Sequence, residues 1–191
     1  MARIYLIRHA HPAAGWAEET NPGLDGLGDS QAEAAAREFA CKQRPLPIYT
    51  SPLRRCLETA RPLESMWRRA AAVLEPVAEL PSPRLDMKER YRWLRQAMQG
   101  TWSDLQARAP PGSPDYLAWR ESLLGALRAL PQDSVVFTHF IAINAAVAAA
   151  QGRDEVVCFR PDHASITCLD ARDGRFQVLQ LGREADTAVG I

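Results

Sequence analysis

The sequence predicts an α/β fold, a three-layer α/β/α sandwich with a mostly parallel sheet and a helical cap insertion. Strand-like and helix-like patterns alternate along the chain, which is typical of helices that cover both faces of a sheet. The first apolar run, Ile4 to Ile7, is continuous rather than alternating, as in a central strand that is buried on both sides. A chain of 191 residues can bury about 70% of its unfolded surface, so we expect one domain over residues 1–191.

The elements of the first half follow from apolar spacing and from prolines. Apolar residues at helical spacing predict two helices, and prolines end the first and open the second. In order, the sequence predicts a loop over 10–28, a helix that ends near Arg44, a strand over 48–50, a helix from Pro52 to about Ala70, and a strand over 73–78 that Pro76 interrupts.

The second half begins with a helical, aromatic segment over about 81–131, which we interpret as the cap insertion. Apolar and β-branched runs, turn residues and a stop glycine predict the elements beyond it. They are a strand over Ser134–Thr138, a helix over 141–151 that Gly152 ends, strands near 156–159 and 165–169, and a hairpin partner near 176–181 after an Asp173-Gly174 turn.

Composition excludes several classes of protein. The chain has 23 basic and 23 acidic residues, so it lacks the strongly basic face of a nucleic-acid-binding protein. No apolar stretch approaches the ~20 residues of a membrane-spanning helix. The N-terminus lacks the pattern of a secretory signal, and we expect a cytoplasmic protein. The four cysteines lack metal-binding or redox spacing, so we expect reduced thiols, no metal and no cofactor.

Reactive side chains follow three of the predicted strands. Arg8 and His9 end the first strand, Arg54 and Arg55 follow the second, and His139 ends the fourth. The carboxyl ends of parallel strands form the ligand crevice of such sheets, so we expect these residues to converge. One guanidinium group can bind two phosphate oxygens at once, and a neutral imidazole can attack phosphorus. The pattern therefore predicts a small phosphorylated substrate.

Three short segments of the chain resemble the histidine phosphatase superfamily, also called the phosphoglycerate-mutase-like family. Leu6 to Ala10 is similar to its RHG signature, Thr50 to Cys56 to its SPLxRA segment, and Thr138 to Phe140 to its second-histidine segment. They occur in the family's order and span nearly the whole chain. The resemblance implies a three-layer α/β/α core, and the length of the chain favours the shorter, phosphatase-like branch.

The resemblance also implies roles for single residues. His9 matches the nucleophile of the family, Arg8 and Arg55 match its phosphate-pocket arginines, and His139 matches its second histidine. Ser51 either hydrogen-bonds a group of the pocket or caps the helix that follows it. Two positions depart from the family pattern. Ala10 stands where a glycine is usual, and Cys56 replaces an alanine and is interpreted as a small packing residue.

The resemblance also implies a general acid, which we expect to be a carboxylate that follows the third predicted strand. Glu79 closes this strand, where related sequences carry an acidic proton donor, and Asp86 and Glu89 are alternatives a few residues later. The cap insertion also carries a set of cations that form either a solvated face or a lid that selects an anionic group. These cations are Arg84, Lys88, Arg90, Arg92 and Arg95.

The sequence therefore predicts a metal-independent phosphomonoester hydrolase that forms a phosphohistidine on His9. Phosphoryl transfer of the phosphoglycerate-mutase type shares this step and is an alternative. His11 forms a His-x-His pair with His9, and Asp162 with His163 is a second candidate pair, so a metal-dependent hydrolase is another alternative. A non-catalytic phosphate-binding module would use the same pocket.

Overall fold

A computed structural model describes residues 2–15, 19–172 and 174–185, apart from the side chain of Met87. Its strands are β1 Ala2–Arg8, β2 Ile48–Thr50, β3 Ala72–Val73, β4 Ser134–Thr138, β5 Ile166–Arg172 and β6 Arg175–Gln180. Its α-helices are α1 Gly26–Lys42, α2 Arg54–Trp67, α3 Met87–Ala97, α4 Trp102–Ala107, α5 Tyr116–Arg128 and α6 Phe140–Gln151. A 3₁₀ turn spans Glu75–Val77.

The strands form a mostly parallel sheet in the order β3-β2-β4-β1-β5-β6. The pairs β3-β2, β2-β4 and β4-β1 are parallel, whereas β5 runs antiparallel to β1 and to β6. Successive side chains of β1 point to opposite faces. Ile4 and Leu6 pack in a cluster with residues of α5 and α6, and Tyr5 and Ile7 pack in a cluster with residues of α1 and α2. Helices thus cover both faces, which confirms the predicted α/β fold.

The register of the three central strands determines where the site forms. Arg8 of β1 pairs with Thr138 of β4, and Thr50 of β2 pairs with Phe137 of β4. The residues that leave these three strands therefore emerge side by side at their carboxyl ends. The next residue along the chain is His9 after β1, and His139 after β4.

The helix that follows β4 begins directly at the site. His139 occupies the N-cap position of α6, whose first nine residues are all buried. Such a largely apolar helix is stable only where protein surrounds it on every side. The helix ends at Gly152, which adopts a left-handed conformation with φ of 66°, as the sequence predicts.

One predicted strand is shorter than expected, and another is absent. The predicted strand over 73–78 ends at Val73 and gives way to the 3₁₀ turn, because Pro76 has no N–H for sheet pairing. Glu79 therefore follows a turn rather than a strand. The predicted strand over 156–159 is a loop, because Oδ1 of Asn144 accepts hydrogen bonds from the backbone N–H groups of Cys158 and Phe159. These donors are satisfied by a side chain instead of a neighbouring strand.

Several predicted boundaries shift by a few residues. The helix α1 begins at Gly26, inside the predicted loop, because the side chain of Asp25 accepts a hydrogen bond from the backbone of Gly28. It ends at Lys42, before the predicted end near Arg44. The helix α2 begins two residues after Pro52 and ends at Trp67, three residues before Ala70. In the predicted hairpin turn Asp173 lies outside the described residues, and Gly174 has a φ of 74°.

The segment 81–131 holds the helices α3, α4 and α5, in agreement with its predicted helical character. Trp102 and Tyr116 of this segment are fully buried in the larger core cluster. Within the described ranges, the helices are all too short or too polar to cross a lipid bilayer.

Candidate active site

Six polar side chains meet at the carboxyl ends of β1, β2 and β4. None of them exposes more than 8% of its surface. They are Arg8, His9, Ser51, Arg55, Glu79 and His139. Buried polar groups need partners, so their grouping requires a network of hydrogen bonds and charges, which the following contacts supply.

His9 is held so that one ring nitrogen faces the backbone. Its backbone N–H donates to the carbonyl of Thr138 at 2.9 Å, and its Nδ1 lies 2.8 Å from the carbonyl oxygen of Ala10. A carbonyl oxygen only accepts, so Nδ1 carries the proton and Nε2 keeps its lone pair. Burial, followed by the charges of Arg55 and Arg8, holds the pKa of His9 well below 6.5. His9 is therefore a neutral imidazole with Nε2 available for attack.

Thr59 joins the loop that follows β1 to the helix α2, and the sequence patterns do not predict this contact. Its Oγ1 accepts a hydrogen bond from the backbone N–H of Ala10 at 3.0 Å and donates one to the carbonyl of Arg55 at 2.6 Å. One hydroxyl group thereby fixes both the backbone beside His9 and the first turn of α2. The signal in the sequence is its spacing of four residues from Arg55, which places both on one face of the helix.

Arg8 is a buried cation at the end of β1. Its Nη1 donates to the carbonyl of Pro161 at 2.9 Å, and its guanidinium lies 5.1 Å from the centre of the Phe140 ring. Within the described part of the chain its buried Nε has no hydrogen-bond partner. Burial lowers the pKa of Arg8 to about 10, so it stays charged at neutral pH. Such a group favours an anion beside it.

Arg55 and Ser51 hold the two ring nitrogens of His139. Nη2 of Arg55 lies 3.1 Å from Nδ1, and Oγ of Ser51 lies 2.7 Å from Nε2. A guanidinium group only donates, so Nδ1 is the acceptor and Nε2 carries the proton that Ser51 accepts. Burial and the charges of Arg55 and Arg8 keep the pKa of His139 well below 6.5. Ser51 makes both kinds of contact, because its Oγ accepts from Nε2 of His139 and, at 3.2 Å, from the backbone N–H of Leu53 at the start of α2.

Cys56 packs beneath His139. Its Sγ lies 3.3 Å from Nε2 of His139 and donates to the carbonyl of Thr138 at 3.4 Å. Burial raises the pKa of the thiol to about 12, so it remains protonated and is a poor nucleophile. This agrees with its interpretation as a packing residue.

Of the three candidate acids, the structure brings only Glu79 into the cluster. Burial raises the pKa of Glu79, while the Leu80 N–H and the charges of Arg55 and Arg8 oppose this rise. Asp86 and Glu89 are exposed and lie outside it, and Asp86 instead caps α3. A buried carboxyl group with a raised pKa next to cations has the environment of a proton donor.

A small pocket, partly open to solvent, lies beside His9 and Arg55. Arg90 of α3 also lines it, together with Glu19 and Thr20 of the loop before α1.

The histidines that a metal-dependent hydrolase would use lie near one another, but His11 also contacts Asp25. The ring of His163 lies 5.7 Å from that of His9 and 5.2 Å from that of His11. Nδ1 of His11 lies 3.0 Å from Oδ2 of Asp25, and burial lowers the pKa of His163 to about 3. In the ranges that the structure describes, no group of three or more His, Cys, Asp or Glu side chains is arranged to hold a metal ion.

Solved structures with the same fold cover nearly the whole chain. A phosphoserine phosphatase of Entamoeba histolytica, solved with 3-phosphoglyceric acid, is 20% identical with a TM-score of 0.75 over 96% of this chain and 98% of that one. A mycobacterial glucosyl-3-phosphoglycerate phosphatase is 22% identical with a TM-score of 0.74 over 97% and 100%. The phosphoglycerate mutase of Thermus thermophilus is 23% identical with a TM-score of 0.62 over 96% and 99%. At these identities the likeness is one of fold.

None of the curated proteins matches the chain by sequence. The family model described as histidine phosphatase superfamily (branch 1) matches residues 4–184. This range contains all six residues of the buried cluster and the three segments that carry the resemblance. The chain therefore belongs to branch 1 of the histidine phosphatase superfamily.

Proposed function

We propose that the protein is a metal-independent phosphomonoester hydrolase that forms a phosphohistidine on His9. The observation that carries this proposal is the state of His9, a neutral imidazole whose Nδ1 bonds the Ala10 carbonyl and whose Nε2 is left for attack. Arg8 and Arg55 supply fixed positive charge beside it. Membership of the family supports phosphoryl transfer through a histidine.

In the first step Nε2 of His9 attacks phosphorus, and an N–P bond forms as the P–O bond to the leaving group breaks. The leaving oxygen takes its proton from Glu79, whose raised pKa favours the protonated acid. The imidazole ring becomes positively charged, and the Ala10 carbonyl that accepts from Nδ1 stabilises this charge. Arg8 and Arg55 hold the phosphoryl oxygens through a transition state with little bonding to either side, and His139 joins them when its Nε2–H turns from Oγ of Ser51 to a phosphoryl oxygen.

In the second step water attacks the phosphohistidine. The ionised Glu79 accepts a proton from the water as its oxygen bonds to phosphorus. The N–P bond then breaks, its electron pair returns to Nε2, and inorganic phosphate leaves. His9 is again neutral and Glu79 is again protonated, so no other reactant is consumed.

Small phosphorylated organic acids and sugars are the substrates we propose, because the pocket is small and two arginines line it. The phosphatases with the same fold are named for phosphoserine and glucosyl-3-phosphoglycerate, and these are starting points for a substrate panel. The panel should include 2- and 3-phosphoglycerate to test for mutase activity.

The decisive experiment compares the wild type with His9→Ala on this panel. We expect the wild type to release inorganic phosphate and, after rapid quenching, to carry an acid-labile, alkali-stable phosphoryl group. The His9→Ala variant should show neither. His11→Ala is the matched control, since His11 pairs with Asp25 outside the cluster, and it should keep its activity.

Each alternative function has its own outcome. Activity that a chelator abolishes and that His11→Ala loses would show a metal-dependent hydrolase. Interconversion of the two phosphoglycerates without net phosphate release would show a mutase. Phosphate binding without turnover of any ester would show a binding module. All three outcomes contradict the proposal.

A further inference from the structure

A turn that precedes β5 is hydrogen-bonded to the end of β1, beside the nucleophile. The backbone N–H of Arg8 donates to the carbonyl of Ser165 at 3.2 Å. The backbone N–H of Ala164 is shared between the carbonyl oxygens of Arg8, at 3.1 Å, and His9, at 3.4 Å. The turn therefore holds the backbone of both Arg8 and His9.

The backbone of this turn is strained at one residue. The N–H of Ser165 donates to the carbonyl of Asp162 at 3.2 Å, so residues 162–165 form a closed turn. Its third residue, Ala164, has a φ of 56°, in the left-handed region that usually requires glycine or asparagine. An alanine in this conformation costs free energy and persists only where its surroundings fix it. The strain indicates that the position of a neighbouring side chain matters, and the residue just before Ala164 is His163.

The imidazole of His163 lies against that of His9. Their ring centres are 5.7 Å apart and their planes are inclined at 52°, within the range in which aromatic rings attract each other. The ring of His139, at the N-cap of α6, lies 5.3 Å from that of His9. The nucleophile therefore contacts two imidazoles that come from different elements. The hydrogen bond between Nδ1 of His9 and the Ala10 carbonyl determines which edge of the ring faces the backbone, and the two neighbouring rings restrict its remaining rotation.

His163 is an uncharged neighbour of the nucleophile. Burial, followed by the charges of Arg8 and His11, lowers the pKa of His163 to about 3, whereas the charges of Asp162 and Asp25 oppose this shift. His163 therefore stays neutral at neutral and mildly acidic pH. When the nucleophile attacks phosphorus its ring gains positive charge, and a neutral ring beside it adds no repulsion, unlike a lysine or an arginine.

We propose that His163 is a positioning residue for the nucleophile, an uncharged ring that packs against His9 and holds its Nε2 toward the phosphorus atom. This inference rests on the proposed phosphohistidine function. His163 is not among the described residues that line the pocket beside His9, so it acts through His9 and not on the substrate. Its ring also keeps water from one side of His9, and burial is the largest cause of the low pKa of His9.

The test measures the first chemical step with p-nitrophenyl phosphate, whose leaving group absorbs light and needs no proton. Release of p-nitrophenolate in the first turnover gives the rate at which His9 is phosphorylated. The variants are His163→Ala, which removes the ring, and His163→Phe, which keeps an uncharged aromatic ring without its nitrogens. His11→Ala is the matched control, because it removes a different ring that contacts His163 and leaves the hydrogen bonds of the turn in place.

For His163→Ala we expect the rate of the first turnover to fall about tenfold or more, as it does after small displacements of reacting groups. KM should change little, because Arg8 and Arg55 still hold the phosphate. Water that enters beside His9 should raise its pKa, so the acidic limb of kcat/KM should move to higher pH. His163→Phe should restore most of the rate and the wild-type acidic limb, and His11→Ala should match the wild type in both.

A wild-type rate and pH profile in His163→Ala would overturn the inference. Equal losses in His163→Ala and His163→Phe would overturn it as well, because a ring nitrogen rather than packing would then be required. So would a loss confined to KM, since His163 would then bind the substrate. Failure of the proposed function gives a different result, because the wild type itself would form no phosphohistidine. Thermal unfolding shows whether each variant is folded, and His163→Asn, with a shorter uncharged side chain, replaces His163→Ala if that variant does not fold.

Discussion

Arg55 donates a hydrogen bond from Nη2 to Nδ1 of His139 across 3.1 Å. The bond joins the first turn of α2 to the N-cap of α6 and determines which nitrogen of the imidazole carries the proton. It also holds the guanidinium beside His9 before a substrate arrives. A phosphate bound here, as we propose, would compete with Nδ1 for the same donor.

Replacement of Arg55 by lysine should show how much this arrangement contributes. An ammonium group keeps the charge but cannot bind two phosphate oxygens in parallel, so we expect kcat/KM to fall about 10²- to 10³-fold. The control is Arg54→Lys, because Arg54 is the exposed neighbour that pairs with Glu58. Steady-state kinetics on one ester measure both variants. Similar losses in the two would show that the contact with His139 has no special role.

The pH dependence of kcat/KM should reflect His9 and Glu79. Burial and the adjacent arginines hold the pKa of His9 well below 6.5, so protonation removes the nucleophile only at a pH well below that value. Burial raises the pKa of Glu79 above 4.5, so its ionisation removes the acid as pH rises. The profile should be a bell with its optimum on the acidic side. An acidic limb centred at or above pH 6.5 would contradict this assignment of His9.

Buried neutral histidines also make stability depend on pH. In the unfolded chain His9 and His139 take up protons below about pH 6.5, whereas in the folded protein they resist protonation. The free energy of unfolding is therefore unaffected by these two groups above pH 6.5 and falls progressively as pH drops below it. Thermal unfolding of the wild type and a His139→Gln variant at several pH values measures this. The variant should lose less stability between pH 7 and pH 5 than the wild type.

The contribution of Glu79 to the rate of hydrolysis should depend on whether the leaving group needs a proton. Glu79→Gln should slow hydrolysis of an alkyl phosphate about 10²- to 10⁴-fold, the usual contribution of a general acid. The loss on p-nitrophenyl phosphate should be much smaller, since nitrophenolate leaves without a proton. Asp86→Asn and Glu89→Gln change carboxylates outside the cluster and should match the wild type on both esters. Equal losses of Glu79→Gln on the two esters would remove it as the proton donor.

The order of strands and polar residues along the chain predicts which residues meet at the site. It predicts poorly the elements and contacts that hold them in place. Arg8, His9 and His139 follow strands that are evident from apolar runs, and parallel strands bring such ends together whatever lies between them. The sequence predicts Glu79 at the end of a strand, whereas in the structure it follows a 3₁₀ turn that contains Pro76. The cluster tolerates this difference, since the turn still delivers Glu79 to the same edge.

Hydrogen bonds between side chains and backbone groups that are far apart along the chain are hard to predict from one sequence. The bond from Ala10 to Thr59 joins residues 49 apart, and the bond from Cys158 to Asn144 joins residues 14 apart. Neither has a periodicity that predicts it. The apolar run near 156–159 has the pattern of a strand, and it becomes a loop only because a buried amide from α6 satisfies its backbone.

Thr59 should act as a positioning residue for the nucleophile. Thr59→Val keeps the shape of the side chain but removes both of its hydrogen bonds, so the Ala10 backbone and Arg55 lose their shared anchor. We expect kcat to fall about tenfold or more, as small displacements of reacting groups do. Thr59→Ser retains the hydroxyl group and should restore most of kcat. If the serine variant is as slow as the valine variant, packing rather than the hydroxyl group is responsible.

Two glycines should respond in opposite ways to alanine. At Gly28 a Cβ atom would overlap the carbonyl oxygen of His11, whereas at Gly125, exposed in the last turn of α5, nothing lies within 4 Å. Gly125→Ala should raise the free energy of unfolding by about 0.5–1 kcal/mol, because alanine loses less backbone entropy on folding. Gly28→Ala should lower it by about 1–3 kcal/mol through overpacking.

The Gly28 substitution should reach the site as well as the fold. His11 lies two residues after His9, so the carbonyl that must move away from the new methyl group belongs to the same loop as His9. We therefore expect Gly28→Ala to lower kcat as well as stability, and Gly125→Ala to leave kcat unchanged. Denaturant unfolding and steady-state kinetics on the same preparations measure both quantities. A stable, fully active Gly28→Ala variant would show that the loop accommodates the methyl group without displacing His9.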